Sequence, residues 1–112
     1  MESLPVIQRT YELYKCVANF SAHVDKRYRY TLGHELEQTA LLALRFQILT
    51  KNAPRSLKLG YLLIAISYVE LLQFHLRALL ELNLANETTI FKSQEMVMEV
   101  ARMLGGWKKF LQ

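Results

Sequence analysis

The stretch from Leu57 to Leu82 constrains the fold more than any other part of this sequence. It contains no proline, and its single glycine, Gly60, falls within the first turn. As one continuous helix it would be about 39 Å long. Its first half, from Leu59 to Ile66, carries no charge, so we expect that half to be covered on every side. The second half gains a polar stripe that should face outward, at Glu70, Gln73, Arg77 and Glu81.

The composition favours an all-α fold with one domain spanning residues 1–112. Of the 112 residues 52% are hydrophobic, with four glycines and two prolines, which argues against a disordered or loop-rich chain. Good helix formers such as Leu, Ala, Glu and Lys outnumber Val, Ile and Thr. No window alternates apolar and polar residues over about six positions, as a half-buried strand would.

Apolar residues spaced three and four apart predict three further helices. They cover residues 5 to 23 or 24, 32–51, and 88 or 89 to 111, and the central helix begins between Pro54 and Leu57. Connections of roughly four to seven residues then predict an antiparallel up-down four-helix bundle. The expected N-caps are Thr31 for the second helix, Ser56 or Asn52 for the third, and Thr88 or Thr89 for the fourth.

Several features favour a cytoplasmic protein without a membrane span. The single cysteine, Cys16, cannot form an internal disulfide and suits a reducing compartment. The first ten residues lack the basic start and apolar core of a signal peptide. The uncharged run between Lys58 and Glu70 is shorter than the roughly 20 residues that a spanning helix needs. A buried core helix is therefore the preferred interpretation of the central stretch.

The sequence shows no pattern for a metal, a cofactor or a catalytic centre. No acidic residue has a histidine three positions later, as the di-iron pattern of helical bundles requires. His34 begins no HExxH motif, because Gln38 stands where the second histidine belongs. Cys16 lies beside the apolar stripe of the first helix, which favours a buried thiol over a nucleophile. We therefore expect no enzymatic activity.

Basic residues are grouped in two regions that the bundle topology would place at opposite ends. Lys26, Arg27 and Arg29 alternate with tyrosines in the first connection, where cations could bind phosphates and aromatics could stack on bases. A solvated loop whose tyrosines cover the core is the alternative. No acidic residue lies between Gln38 and Val69. The cations expected at the other end, with Arg45 nearby, are Lys51, Arg55, Lys58, Lys108 and Lys109.

The sequence is also more apolar than four packed helices require. A bundle helix needs about three apolar positions in seven, and the first half of the central helix exceeds that number. Met98 and Met103 widen the apolar stripe of the last helix in the same way. Surplus apolar surface usually marks association, so we expect a homo-oligomer.

The segment Glu99–Trp107, EVARMLGGW, resembles one typical of the accessory variability (Avd-like) proteins of diversity-generating retroelements. These proteins belong to a wider bacterial family of small four-helix bundles that includes those encoded in ribosomal RNA intervening sequences. The stretch Phe74–Arg77 is similar to the aromatic-x-Leu-Arg segment of that family, and the Lys26–Tyr30 segment is similar to the first connection of its intervening-sequence branch. Helix order and chain length also match.

The resemblance implies a homopentameric, barrel-like ring with a basic surface. Such a protein would bind the retroelement reverse transcriptase and RNA or DNA, support template-primed DNA synthesis during mutagenic retrohoming, and catalyse nothing itself. By match of motif, Arg77 and Arg102 are its candidate contacts. The rival hypothesis is a structural protein interaction module of the intervening-sequence type, which has no role with nucleic acid.

Overall fold

Four α-helices make up most of the computed structural model, which describes residues 3–112, with side chains from residue 5 onward. They are α1 (Ser3–Ser21), α2 (His34–Asn52), α3 (Arg55–Glu81) and α4 (Glu87–Leu111). Each helix packs against two others, because α1 and α3 both contact α2 and α4. The result is a compact globule of 44 × 22 × 19 Å, an arrangement consistent with a four-helix bundle.

Hydrogen bonds and ring contacts show that successive helices run in opposite directions. At one end, the backbone N–H of Asp25 in the α1–α2 connection donates to the carbonyl of Leu84 in the α3–α4 connection, at 3.1 Å. At the other end, Arg55 in the first turn of α3 lies over the ring of Phe110 in the last turn of α4. The predicted up-down order of four helices therefore matches the arrangement of these ends.

The core is formed by the stripes that the apolar spacing predicts. On α1 the residues spaced three and four apart are buried, at Val6, Thr10, Leu13, Val17 and Phe20, and Val24, just after the helix, is buried as well. On α3 the buried residues are Leu62, Ala65, Val69, Leu72, Leu76 and Leu79. On α4 they include Ile90, Val97, Val100 and Leu104. On α2 the positions seven apart at Gln38, Arg45 and Asn52 face outward and are exposed.

A buried polar contact sets the position of α1 relative to α2. Gln47 is fully buried, and its Nε2 donates to Thr10 Oγ1 at 2.9 Å. The Thr10 hydroxyl in turn donates to the carbonyl of Val6 at 2.8 Å. Because buried polar groups are costly without partners, this pair favours a single register of the two helices.

The first connection differs from the predicted loop. α1 ends at Ser21, before the predicted His23 or Val24, and the chain then forms a 3₁₀ helix (Lys26–Tyr28) and a π-helical turn (Arg29–Gly33) that leads directly into α2. Thr31 is therefore not an N-cap, and its hydroxyl donates to the carbonyl of Tyr28. The side chain of Asp25 caps the 3₁₀ helix by accepting from the backbone N–H of Arg27.

Two other predicted caps are also wrong. The N-cap of α4 is Asn86, whose Oδ1 accepts from the backbone N–H of Thr89 at 3.1 Å. The N-cap of α3 is Pro54, which offers no side-chain bond, so neither Ser56 nor Asn52 serves. The start of α3 at Arg55 falls within the predicted range.

The first half of α3 is less covered than the sequence predicts. Leu62 is fully buried, but its neighbour Leu63 is 45% exposed, and Ile64 is also exposed. The expectation that Leu59–Ile66 is enclosed is therefore wrong within one chain. In residues 3–112, α3 is the one helix long and apolar enough to cross a membrane, judged by length and composition alone. Six of its residues are buried in the core of the bundle.

Candidate nucleic-acid interface

The strongest concentration of positive charge lies at the end of the bundle where α2 ends, α3 begins and α4 ends. Here Lys51, Arg55 and Lys109 are exposed, and Lys108 is half-buried. We call these four residues the basic end. None of them takes part in the three ion pairs formed by the described residues.

The helix ends that form the basic end carry no acidic side chain among the described residues. Residues 38–69 and 100–112, which include the end of α2, the start of α3 and the end of α4, contain no Asp or Glu. Arg45 and Arg102 lie farther along the same half, both exposed. Since nearby carboxylates would repel phosphate, their absence makes this half of the surface the most favourable place for a polyanion.

The start of α3 adds to this potential. Its first turn has no acidic residue and no side-chain cap, so the partial positive charge of its first backbone N–H groups is not neutralised there.

Lys58 stabilises the fold, although its charge predicts that it binds phosphate. Its ammonium group donates to the carbonyls of Thr50 at 2.9 Å and Lys51 at 2.8 Å, which closes the end of α2.

Sequence reasoning missed the aromatic residue of this end. Phe110 lies beside the core stripe of α4 by its apolar spacing, yet it is 61% exposed. The guanidinium carbon of Arg55 lies 5.8 Å from the centre of its ring. The sequence feature that indicates this exposure is the position of Phe110 directly after Lys108 and Lys109, in a segment without Asp or Glu.

The opposite end carries mixed charge. Lys26 and Arg27 are exposed, and the Arg27 guanidinium lies 5.0 Å from the ring centre of Tyr28. Arg29 is half-buried, and its Nε is the one buried side-chain nitrogen or oxygen without a hydrogen-bond partner among the described residues. The nearby connections and helix ends supply carboxylates, at Asp25, Glu35, Glu81 and Glu87. Tyr28 packs against the core, whereas Tyr30 is 82% exposed.

The two arginines singled out by the family resemblance lie apart from the basic end. Arg77 pairs with Glu81 at 3.0 Å and lines an open groove between α3 and α4 with Phe74 and Met98. Arg102 lines a groove of about 670 Å³ between α1 and α4. That groove is of mixed charge, with Arg9, Lys92 and Arg102 facing Glu12, Glu95 and Glu99.

An ion pair crosses the α1–α4 groove. Arg9 Nε donates to Glu99 at 2.7 Å, and Arg9 Nη1 donates to Glu12 at 3.2 Å. These bonds, first to Glu99 and then to Glu12, raise the pKa of Arg9. Arg9 is therefore already paired with carboxylates. Because the groove holds as many carboxylates as cations, it has little net attraction for an anion.

The described residues contain no group of three or more His, Cys, Asp or Glu side chains placed to hold a metal ion. Cys16 is half-buried in the α1–α4 groove, and its sulfur lies 3.7 Å from the hydroxyl of the buried Ser93. No base accompanies that thiol among its hydrogen-bond partners.

The outward side of α3 forms a long apolar face. Phe74 is 59% exposed, and the other exposed members are Leu57, Leu63, Ile64, Leu71 and Leu82. We call these six residues the α3 outer face. Several large apolar side chains exposed on one helix are typical of a surface that associates with a partner.

No protein-family model and no curated protein matches this chain. The likeness to Avd-like proteins therefore rests on the EVARMLGGW segment, the Phe74–Arg77 stretch and the order of the helices.

Proposed function

We propose that this protein is a non-enzymatic accessory protein that binds RNA or DNA through its basic end. The observation that carries the proposal is a group of four cations on helix ends whose sequence, at residues 38–69 and 100–112, contains no Asp or Glu. Cations that lack ion-pair partners can neutralise phosphates without first breaking a bond in the protein. The exposed Arg45 would extend the same contact along α2.

The partner in this proposal is the reverse transcriptase of a diversity-generating retroelement. Support comes from the resemblance of residues 99–107 and 74–77 to the Avd-like family. The protein would hold template RNA or the growing DNA beside the polymerase, because a basic surface concentrates a polyanion without sequence choice. Arg77 and Arg102 are the proposed contacts from that resemblance.

We also propose that the protein forms a homo-oligomer, and the resemblance implies that this oligomer is a pentameric barrel. Support comes from the α3 outer face, whose six exposed apolar side chains would lose contact with water in an assembly. Repeating the basic end in each subunit would also give one polyanion several contacts, which raises its overall affinity.

Matched charge reversals test where nucleic acid binds. The double variant Lys51→Glu/Lys109→Glu changes two exposed cations of the basic end, and Lys26→Glu/Arg27→Glu changes two at the opposite end. Both change the net charge by the same amount. We expect the first variant to lose at least about tenfold in affinity for a labelled RNA and the second to lose far less. Equal losses would place the contact elsewhere.

A reverse transcriptase encoded beside this gene provides the test of the partner. We expect the two proteins to copurify after joint expression, and the yield of template-primed DNA to fall when this chain is omitted. Absence of a reverse transcriptase gene, or unchanged DNA yield, would contradict that part of the proposal.

A second candidate function is a docking module that binds a protein partner and no nucleic acid. The α3 outer face favours it, because an exposed Phe74 beside Met98 and Arg77 can take an apolar side chain. Unchanged RNA affinity in the Lys51→Glu/Lys109→Glu variant, together with loss of a protein partner in Phe74→Ala, would favour the module.

A further inference from the structure

Phe110 is an exposed aromatic ring held in a fixed place among cations. It is 61% exposed, yet α4 is still regular there, since the N–H of Gln112 donates to the carbonyl of Lys108 at 3.0 Å. Trp107 and Leu111, on either side of it in sequence, pack against the core. The Arg55 guanidinium over the ring adds a further contact across helices. The ring is therefore presented on a structured last turn.

Phosphate binding alone does not require such a ring. Cations neutralise phosphates of single strands and duplexes alike, whereas an exposed aromatic ring adds stacking on the face of a base. In a duplex those faces are covered by neighbouring base pairs, so a side chain reaches them only in unpaired nucleotides. An aromatic ring within a cluster of cations is the combination found where single strands bind.

We propose that the basic end selects single-stranded RNA or DNA, with an unpaired base stacked on Phe110 and adjoining phosphates on Lys51 and Lys109. This inference rests on the proposed nucleic-acid function and specifies its ligand. Arg55 lies over the ring and would contact both the ring and a phosphate, because its guanidinium can stack and donate hydrogen bonds at once.

Tyr30 does not form an equivalent site at the other end. It is more exposed than Phe110, but the connections and helix ends around it carry Asp25, Glu35 and Glu87 as well as Lys26 and Arg27. Carboxylates repel the phosphates that must accompany any stacked base. The same pairing of aromatic and cation therefore favours a nucleic acid strand at one end only.

The test compares a 20-nucleotide unstructured RNA with a duplex of equal length at the same salt concentration. Binding is followed by a label on the RNA and by the fluorescence of Trp107, the single tryptophan, one helical turn from Phe110. Phe110→Ala should weaken single-strand binding by about tenfold and change duplex binding by less than about twofold. Phe110→Leu keeps an apolar side chain without a ring and should behave like Phe110→Ala, whereas Phe110→Trp should retain binding.

Phe91→Ala is the matched control, because Phe91 is also exposed and lies near the opposite end of the same helix. It should leave both affinities unchanged. The inference is overturned if wild type binds the duplex as well as the single strand, if Phe110→Ala and Phe110→Leu keep single-strand affinity, or if both ligands are lost equally. The proposed nucleic-acid function is still supported in those cases if the Lys51→Glu/Lys109→Glu variant binds RNA more weakly than wild type. A wild-type protein that binds neither ligand overturns both proposals.

Discussion

The guanidinium carbon of Arg55 lies 5.8 Å from the ring centre of Phe110, which joins the first turn of α3 to the last turn of α4. The contact brings together two residues that are far apart in the chain, in segments (residues 38–69 and 100–112) that contain no Asp or Glu. The cations of three helices therefore lie on one surface, because Lys51 is in the last turn of α2, next to the start of α3.

Lys58 and Lys51 should affect different properties. Lys58→Met removes two hydrogen bonds to the carbonyls of Thr50 and Lys51, so we expect the free energy of unfolding to fall by about 1 kcal/mol. Lys51→Met should leave stability nearly unchanged and weaken RNA binding. Urea denaturation and RNA titration of both variants check this. Equal effects on the two properties would show that the residues share one role.

The buried Thr10–Gln47 pair should stabilise the fold cooperatively. Gln47→Leu removes the donor to Thr10, and we expect the free energy of unfolding to fall by about 1–3 kcal/mol. The double variant Thr10→Val/Gln47→Leu should lose less than the sum of the two single variants, because the partners are removed together. Additive losses in urea denaturation would show that the contact contributes no coupling.

Leu62 and Leu63 are adjacent on α3 and should respond oppositely to charge. Leu62→Glu buries a carboxylate in the core and should prevent folding, measured by loss of helical circular dichroism. Leu63→Glu changes the α3 outer face and should keep the helical signal while the native mass falls to that of a single chain. An oligomer that survives Leu63→Glu with its mass intact would place the subunit interface away from this residue.

Gly105 and Gly106 should tolerate alanine. A Cβ added at either glycine meets nothing within 4 Å, so no other backbone of the same chain approaches them closely. Alanine favours a helix by about 1 kcal/mol over glycine, so each substitution should raise the free energy of unfolding by up to that amount. If a substitution instead dissociates the oligomer, a neighbouring subunit occupies that open side.

Helix number and core stripes could be predicted because burial on one side repeats with the period of the helix. Val6, Leu13 and Val17 illustrate this, since their spacing alone places them together. The N-cap of α4 was misplaced because Asn86, Thr88 and Thr89 are all good caps, and only local geometry selects Asn86. The start of α2 was misplaced because a π-helical turn leads into it without a side-chain cap.

The candidate site was predictable in charge but not in detail. The gap in acidic residues between Gln38 and Val69 is visible in the sequence, and the bundle topology places it beside the end of α4. The exposure of Phe110 could not be predicted from the sequence, because a residue in the last turn of a helix has fewer neighbours than its apolar spacing suggests. The role of Lys58 depends on a contact across the α2–α3 turn that periodicity does not encode.

The salt dependence of RNA affinity tests the central claim most directly. If the four cations of the basic end each neutralise one phosphate of a single strand, the logarithm of the association constant should fall with the logarithm of salt at a slope of about −3 per subunit. Affinity would then drop about sixtyfold between about 50 and about 200 mM salt. A slope near zero with binding intact would contradict the account.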